Sequence, residues 1–139
     1  MSDLTQKAIQ EVIARHDAFV VWFTGRGDDH VMDEMRRVFA PGFVLISPDA
    51  SIAPHDEVVA MLEGARGKRP ADFSIAIADA HPLWTTDDAV VIAYVEHQTI
   101  DGVKTARQST ALFTRDDAAP GGVVWQHVHE TWIDKGDTP

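Results

Sequence analysis

A chain of 139 residues with 45% apolar and 24% charged side chains lies in the range of one globular domain and outside that of disordered chains. Its net charge of −10 opposes phosphate backbones and anionic bilayers, so no nucleic-acid or membrane partner is expected. With no cysteine there are no disulfides, thiol nucleophiles or thiolate metal sites, and stability must come from packing. The acidic start MSDLTQKAIQE lacks the basic and apolar regions of a signal peptide, and no apolar run reaches membrane-spanning length. The expectation is a cytoplasmic, soluble protein.

From Asp3 to Thr24, apolar residues recur at spacings of three and four (Leu4, Ala8, Ile9, Val12, Ile13, Phe19, Val20, Phe23), which predicts a long first helix. Asp3 with Gln6 resembles a capping box and Gly25 supplies the stop. A second helix is expected from about Asp28 to Phe39, ended by Pro41-Gly42. The apolar run Phe43 to Ser47, the turn at Pro48-Asp49 and the segment Ser51 to Ala53 predict a strand and a short hairpin. A third helix starts near Pro54, with Val58, Met61, Leu62 and Ala65 as its buried stripe before Gly67.

After residue 70 the apolar period falls to two. Four strands are expected, Phe73 to Leu83, Ala89 to Ile100, Lys104 to Thr114 and Val123 to Ile133, with Asp101-Gly102 the strongest hairpin signal. Lys135 to Pro139 is read as a frayed tail. Helices followed by an antiparallel meander predict an α+β fold in a single domain over residues 1–139, the helices packed on one face of a curved sheet.

The last strand, VVWQHVHETWI, has two unusual faces. Strict alternation puts Val123, Trp125, His127, His129, Thr131 and Ile133 on one side and Val124, Gln126, Val128, Glu130 and Trp132 on the other. Both sides are expected to be covered, one by helices around a cavity and the other by a second subunit.

The long first helix, FAPGFVLISPDAS, the helix after Pro54, RQSTALFTRD and WQHVHETW, in this order, give the chain a resemblance to the nuclear transport factor 2-like superfamily. The similarity is to its SnoaL-like group and to bacterial relatives of the calmodulin-dependent kinase association domain. It covers nearly the whole chain. The resemblance implies a cone-shaped α+β barrel with an internal hydrophobic pocket, and a homodimer joined through the outer face of the sheet. Some members are isomerases, cyclases or hydratases, and others only bind or oligomerise, so fold alone does not fix the chemistry. Compared with ketosteroid isomerase, Ser47 falls where the general base would stand and Ser109 or Thr110 where the protonated acid would, and the only tyrosine, Tyr94, lies outside the first helix.

His127 and His129, two apart on a strand, point the same way, toward either the cavity or the dimer interface. An imidazole in an apolar pocket suits proton transfer, and His129 is preferred because Trp125, Val128 and His129 keep the W-x-x-V-H spacing of the relatives, which often have a second histidine where this chain has Thr131. Two histidines fall short of a metal site without further ligands such as Glu96 or His97, and no metal or other cofactor is expected. Arg107 shares a face with Ser109, Ala111 and Phe113, and a buried guanidinium needs Glu96 or Glu130 as partner. Trp22, Phe23, Tyr94, Trp125 and Trp132 offer aromatic surface, Trp22 either at the pocket mouth or in an interface. The expected ligand-binding set is thus Trp22, Ser47, Tyr94, Arg107, Trp125, His127 and Thr131 around His129. The expected function is binding a small hydrophobic molecule with or without acid/base catalysis, the rival being a non-catalytic dimerisation or ligand-sensing module.

Overall fold

The computed structural model describes residues 2–136. Three helices, α1 (Asp3–Phe23), α2 (Asp29–Val38) and α3 (His55–Gly64), accompany six strands, β1 (Phe39–Ile46), β2 (Ile52–Pro54), β3 (Ser74–Thr85), β4 (Ala89–Ile100), β5 (Val103–Arg115) and β6 (Val123–Asp134). The strands form one curled, open sheet in the order β2-β1-β6-β5-β4-β3. The expected α+β class and antiparallel meander are present, β3 through β6 pairing in sequence. The expected frayed tail runs into residues 137–139, which lie outside the described residues.

Local chemistry explains the boundaries. Ser2 caps α1 through the Thr5 amide, and Gly25, at φ +75°, turns the chain after it. Helix α2 ends at Val38, one residue before the expected boundary, because Phe39 already pairs with Trp125 across β6. Pro41-Gly42, expected to stop a helix, sits instead within β1, where the register shifts between Phe39 and Val44. Asp101 and Gly102, both at positive φ, form the β4–β5 turn.

Two features went beyond the expected meander. Strand β1 pairs with β6 in parallel, Val44 beside His127 and Ile46 beside His129, tying the two halves of the chain together. Strand β6 also carries a bulge: Phe113 faces Trp125 and Leu112 faces His127, so Gln126 is the extra residue. The strand therefore swaps faces midway. Trp125 points inward, and beyond the bulge Val128 and Glu130 point inward while His127, His129 and Thr131 point out.

Helix α1 lies across the concave face, against β3, β4 and β6. The core gathers Leu4, Val12, Met35, Val38, Val90, Ile92, Phe113 and Trp125 between helices and sheet. One end of this space is not filled by side chains.

Candidate functional site

Between α1, α3 and the sheet lies a cavity of about 150 Å³. Phe19, Phe23, Phe43, Leu45, Val58, Met61 and Ile75 form an apolar wall, with Met61 half-exposed at its rim. The opposite end is polar: His16 from α1, Tyr94, Glu96 and Gln98 from β4, Arg107 from β5 and Glu130 from β6.

These polar groups are ordered by pairing. His16 Nδ1 lies 2.7 Å from the Val12 carbonyl and Nε2 lies 2.9 Å from Glu96 Oε1. A carbonyl and a carboxylate both accept, so both ring nitrogens donate and His16 is an imidazolium. Burial alone would push its pKa down, but Glu96, the Val12 carbonyl and the more distant Glu130 outweigh it and raise it. Burial likewise disfavours charge on Glu96. His16, then Gln98 and Arg107, prevail and bring its carboxyl down to about 2.

Arg107, opposite Glu96 in the β4–β5 register, donates from Nη1 to Glu130 Oε1 at 3.3 Å. Its guanidinium stacks 4.8 Å from the Trp132 ring centre. Its Nε is buried without an acceptor among the described residues. Glu130 also accepts from the Ser109 hydroxyl at 3.4 Å. Burial first, then repulsion by Glu96, holds the Glu130 carboxyl above the ordinary range despite Arg107 and His16. Tyr94 stays a neutral phenol, raised by burial and by both carboxylates.

A second buried network braces one wall. Trp125 Nε1 donates to Glu11 Oε2 at 2.8 Å, and Arg15 holds Glu11 from Nε at 2.9 Å while reaching Glu34 on α2 at 3.0 Å.

No protein-family model matches the sequence, and no curated protein matches it. Solved structures do. An NTF2-like protein of unknown function from Pseudomonas aeruginosa superposes with a TM-score of 0.83 at 25% identity, over 91% of this chain and 98% of that one. The fold is nuclear transport factor 2-like. A CaMKII hub from S. rosetta follows at TM-score 0.66 and 12% identity, over 94% of each chain. A ketosteroid isomerase-like protein from Parabacteroides distasonis gives 0.61 at 8% identity, over 91% of this chain and 88% of that one. These two likenesses concern the fold alone.

Within this nuclear transport factor 2-like cone, the expected site residues separate. Tyr94, Arg107 and Trp125 line the cavity. His127, His129 and Thr131 do not: the Gln126 bulge turns them to the outer sheet face, where they share a shallow depression with Val91, Gln108, Thr110 and Leu112. His129, expected to transfer a proton within the pocket, is thus exposed on the outer sheet face and does not line the cavity. Ser47 belongs to the β1–β2 turn, its Oγ bonded to Asp49, and is not in the lining. Trp22 is a buried core residue whose Nε1 donates to the Leu62 carbonyl at 2.7 Å, and it is not in the cavity lining.

His16 was missed, as were Glu96 and Glu130 as lining groups in their own right. A signal existed for His16: it follows Val12 by four and precedes Phe19 by three, which places it on the buried stripe of the helix. Of the two partners considered for Arg107, Glu130 makes the direct bond.

Proposed function

We propose that this nuclear transport factor 2-like domain binds a small, mostly apolar molecule inside the cone, with Arg107 and Glu130 meeting its polar group. The observation that carries this reading is the juxtaposition of an unfilled apolar cavity with an ion-paired arginine that retains a free buried donor. If proton transfer accompanies binding, Glu130 is its agent, because it lines the cavity, sits beside Arg107 and holds its proton more tightly than an ordinary carboxyl. The test is protein-observed NMR with mixtures of small apolar compounds. Binding should shift resonances of Tyr94, Trp125 and Val128 and should weaken in the charge-balanced pair Arg107→Met with Glu130→Gln. Binders that leave those resonances unmoved would remove the reading.

A second reading, self-association through the outer sheet face, has its own support. In a chain of charge −10, the depression around His127 and His129 contains no carboxylate among the described residues, and the strands beside it present Val44, Ile46, Val91 and Leu112. Similarity to hub domains agrees with such a module. Sedimentation should show a dimer that Leu112→Lys converts to monomer; a monomeric wild type at high protein concentration would exclude it. The two readings are compatible, since they use opposite faces.

A further inference from the structure

Resting on the cavity reading above, we infer that the ligand is a neutral compact molecule, about six to ten non-hydrogen atoms in size, which presents one hydrogen-bond acceptor such as a carbonyl to Arg107 and is not a carboxylate. The size follows from the volume. A cavity near 150 Å³ is on the scale that accommodates a benzene-sized guest.

The charge class follows from counting what is already buried. His16 donates from both nitrogens and carries a positive charge, Glu96 beside it is negative, and Arg107 and Glu130 form a second opposite pair. The polar end is therefore balanced before any ligand arrives. A carboxylate would add an uncompensated negative charge next to Glu96 and Glu130, a costly arrangement against the buried, largely apolar wall of the cavity. It would enter with a proton, taken up by itself or by Glu130.

Hydrogen-bonding capacity points the same way. The His16 nitrogens are both committed, and the Gln98 amide is committed to Glu96. The Arg107 guanidinium, which lines the cavity, keeps N–H capacity beyond its bond to Glu130, and its buried Nε has no acceptor among the described residues; the Tyr94 hydroxyl lies beside it as a neutral second donor. Trp132 against the guanidinium face, together with Glu130 at Nη1, fixes the direction of the guanidinium. A carbonyl oxygen satisfies it without changing the charge of the cluster. An ammonium or amidinium has no acceptor to offer and would compete with Arg107 for Glu130.

An isosteric series separates the possibilities: benzamide, benzoate and benzamidinium, titrated into the full chain at pH 7.5 and followed through the Tyr94, Trp125 and Val128 resonances. Benzamide should bind at least about tenfold tighter than either ion. Its affinity should be flat with pH, whereas benzoate should gain up to about tenfold per unit as pH falls, the signature of one proton taken up. Glu130→Gln removes one negative charge and keeps the side-chain shape. In that variant the order should invert, benzoate becoming the tighter ligand, which a purely structural role for Glu130 would not produce. Tighter, pH-independent binding of benzoate to the wild type would overturn the charge-class inference while leaving the cavity reading in place. If none of the three perturbs the cavity resonances, both are overturned.

Discussion

Replacing Glu96 by Gln tests the buried pair that organises the polar end of the cavity. The side chain keeps its size and loses its charge, so the His16 imidazolium, almost fully buried, loses its partner. In the folded protein the Glu96 carboxyl is depressed from 4.5 to about 2. At roughly 1.4 kcal/mol per pKa unit, the charged form contributes about 3 kcal/mol to folding at pH 7. The same attraction raises His16, so it is counted once. Because the folded pKa is lowered, this contribution is complete well above 4.5 and disappears as pH falls toward 2. Urea unfolding should show Glu96→Gln less stable than wild type by about 3 kcal/mol at pH 7, or ~10 °C in Tm for a domain of this size. The difference should shrink to about 1 kcal/mol near pH 3. A loss below about 1 kcal/mol at pH 7, or a difference that does not change with pH, would refute the argument that the pair is charged and stabilising.

Three further outcomes follow from other contacts. Nitrogen-detected NMR should find His16 doubly protonated at pH 7 in the wild type and neutral in Glu96→Gln; because its folded pKa is raised, the stability it adds is complete below the ordinary histidine value and is lost as pH rises through the raised one. Arg15→Met leaves Glu11 buried and unpaired beneath Trp125, and denaturant titration should register a loss of about 3–5 kcal/mol; a loss under about 1 kcal/mol would mean that Glu11 reaches water. His127→Ala with His129→Ala should keep the stability of the protomer within about 0.5 kcal/mol per residue and leave cavity binding unchanged, while altering sedimentation; any loss of ligand affinity would contradict their outward placement.

The order of helices, the meander and the family likeness were legible because each rests on local signals: three-four periodicity up to Phe23, Pro54 before α3, and Asp101-Gly102 between β4 and β5. The interior was less legible. Period-two reasoning assumes an unbroken strand, and the single bulged residue Gln126 breaks it, so Trp125 and His129 end on opposite faces although the sequence spaces them as neighbours on one. Arg107 was recognisable as a buried charge in need of a partner because it shares a face with Ala111 and Phe113. His16 was obscured by its polarity, which masked its place on an apolar stripe. The parallel β1–β6 contact has no local signature, since it joins residues 44–46 to 127–129 across the whole meander.

That contact has a consequence for assembly of the chain. A parallel pairing between such distant segments must wait until the intervening strands are in position, because loop closure is costly before the pairing repays it. Trp125, Val128 and Glu130 all reside on β6, the strand that makes this long-range pairing. Any partly folded species that lacks this docking, including a nascent chain with β6 still in the ribosomal tunnel, would have no enclosed cavity. A ligand of the cavity would therefore act late, slowing the unfolding of the finished protein and leaving its early folding steps untouched.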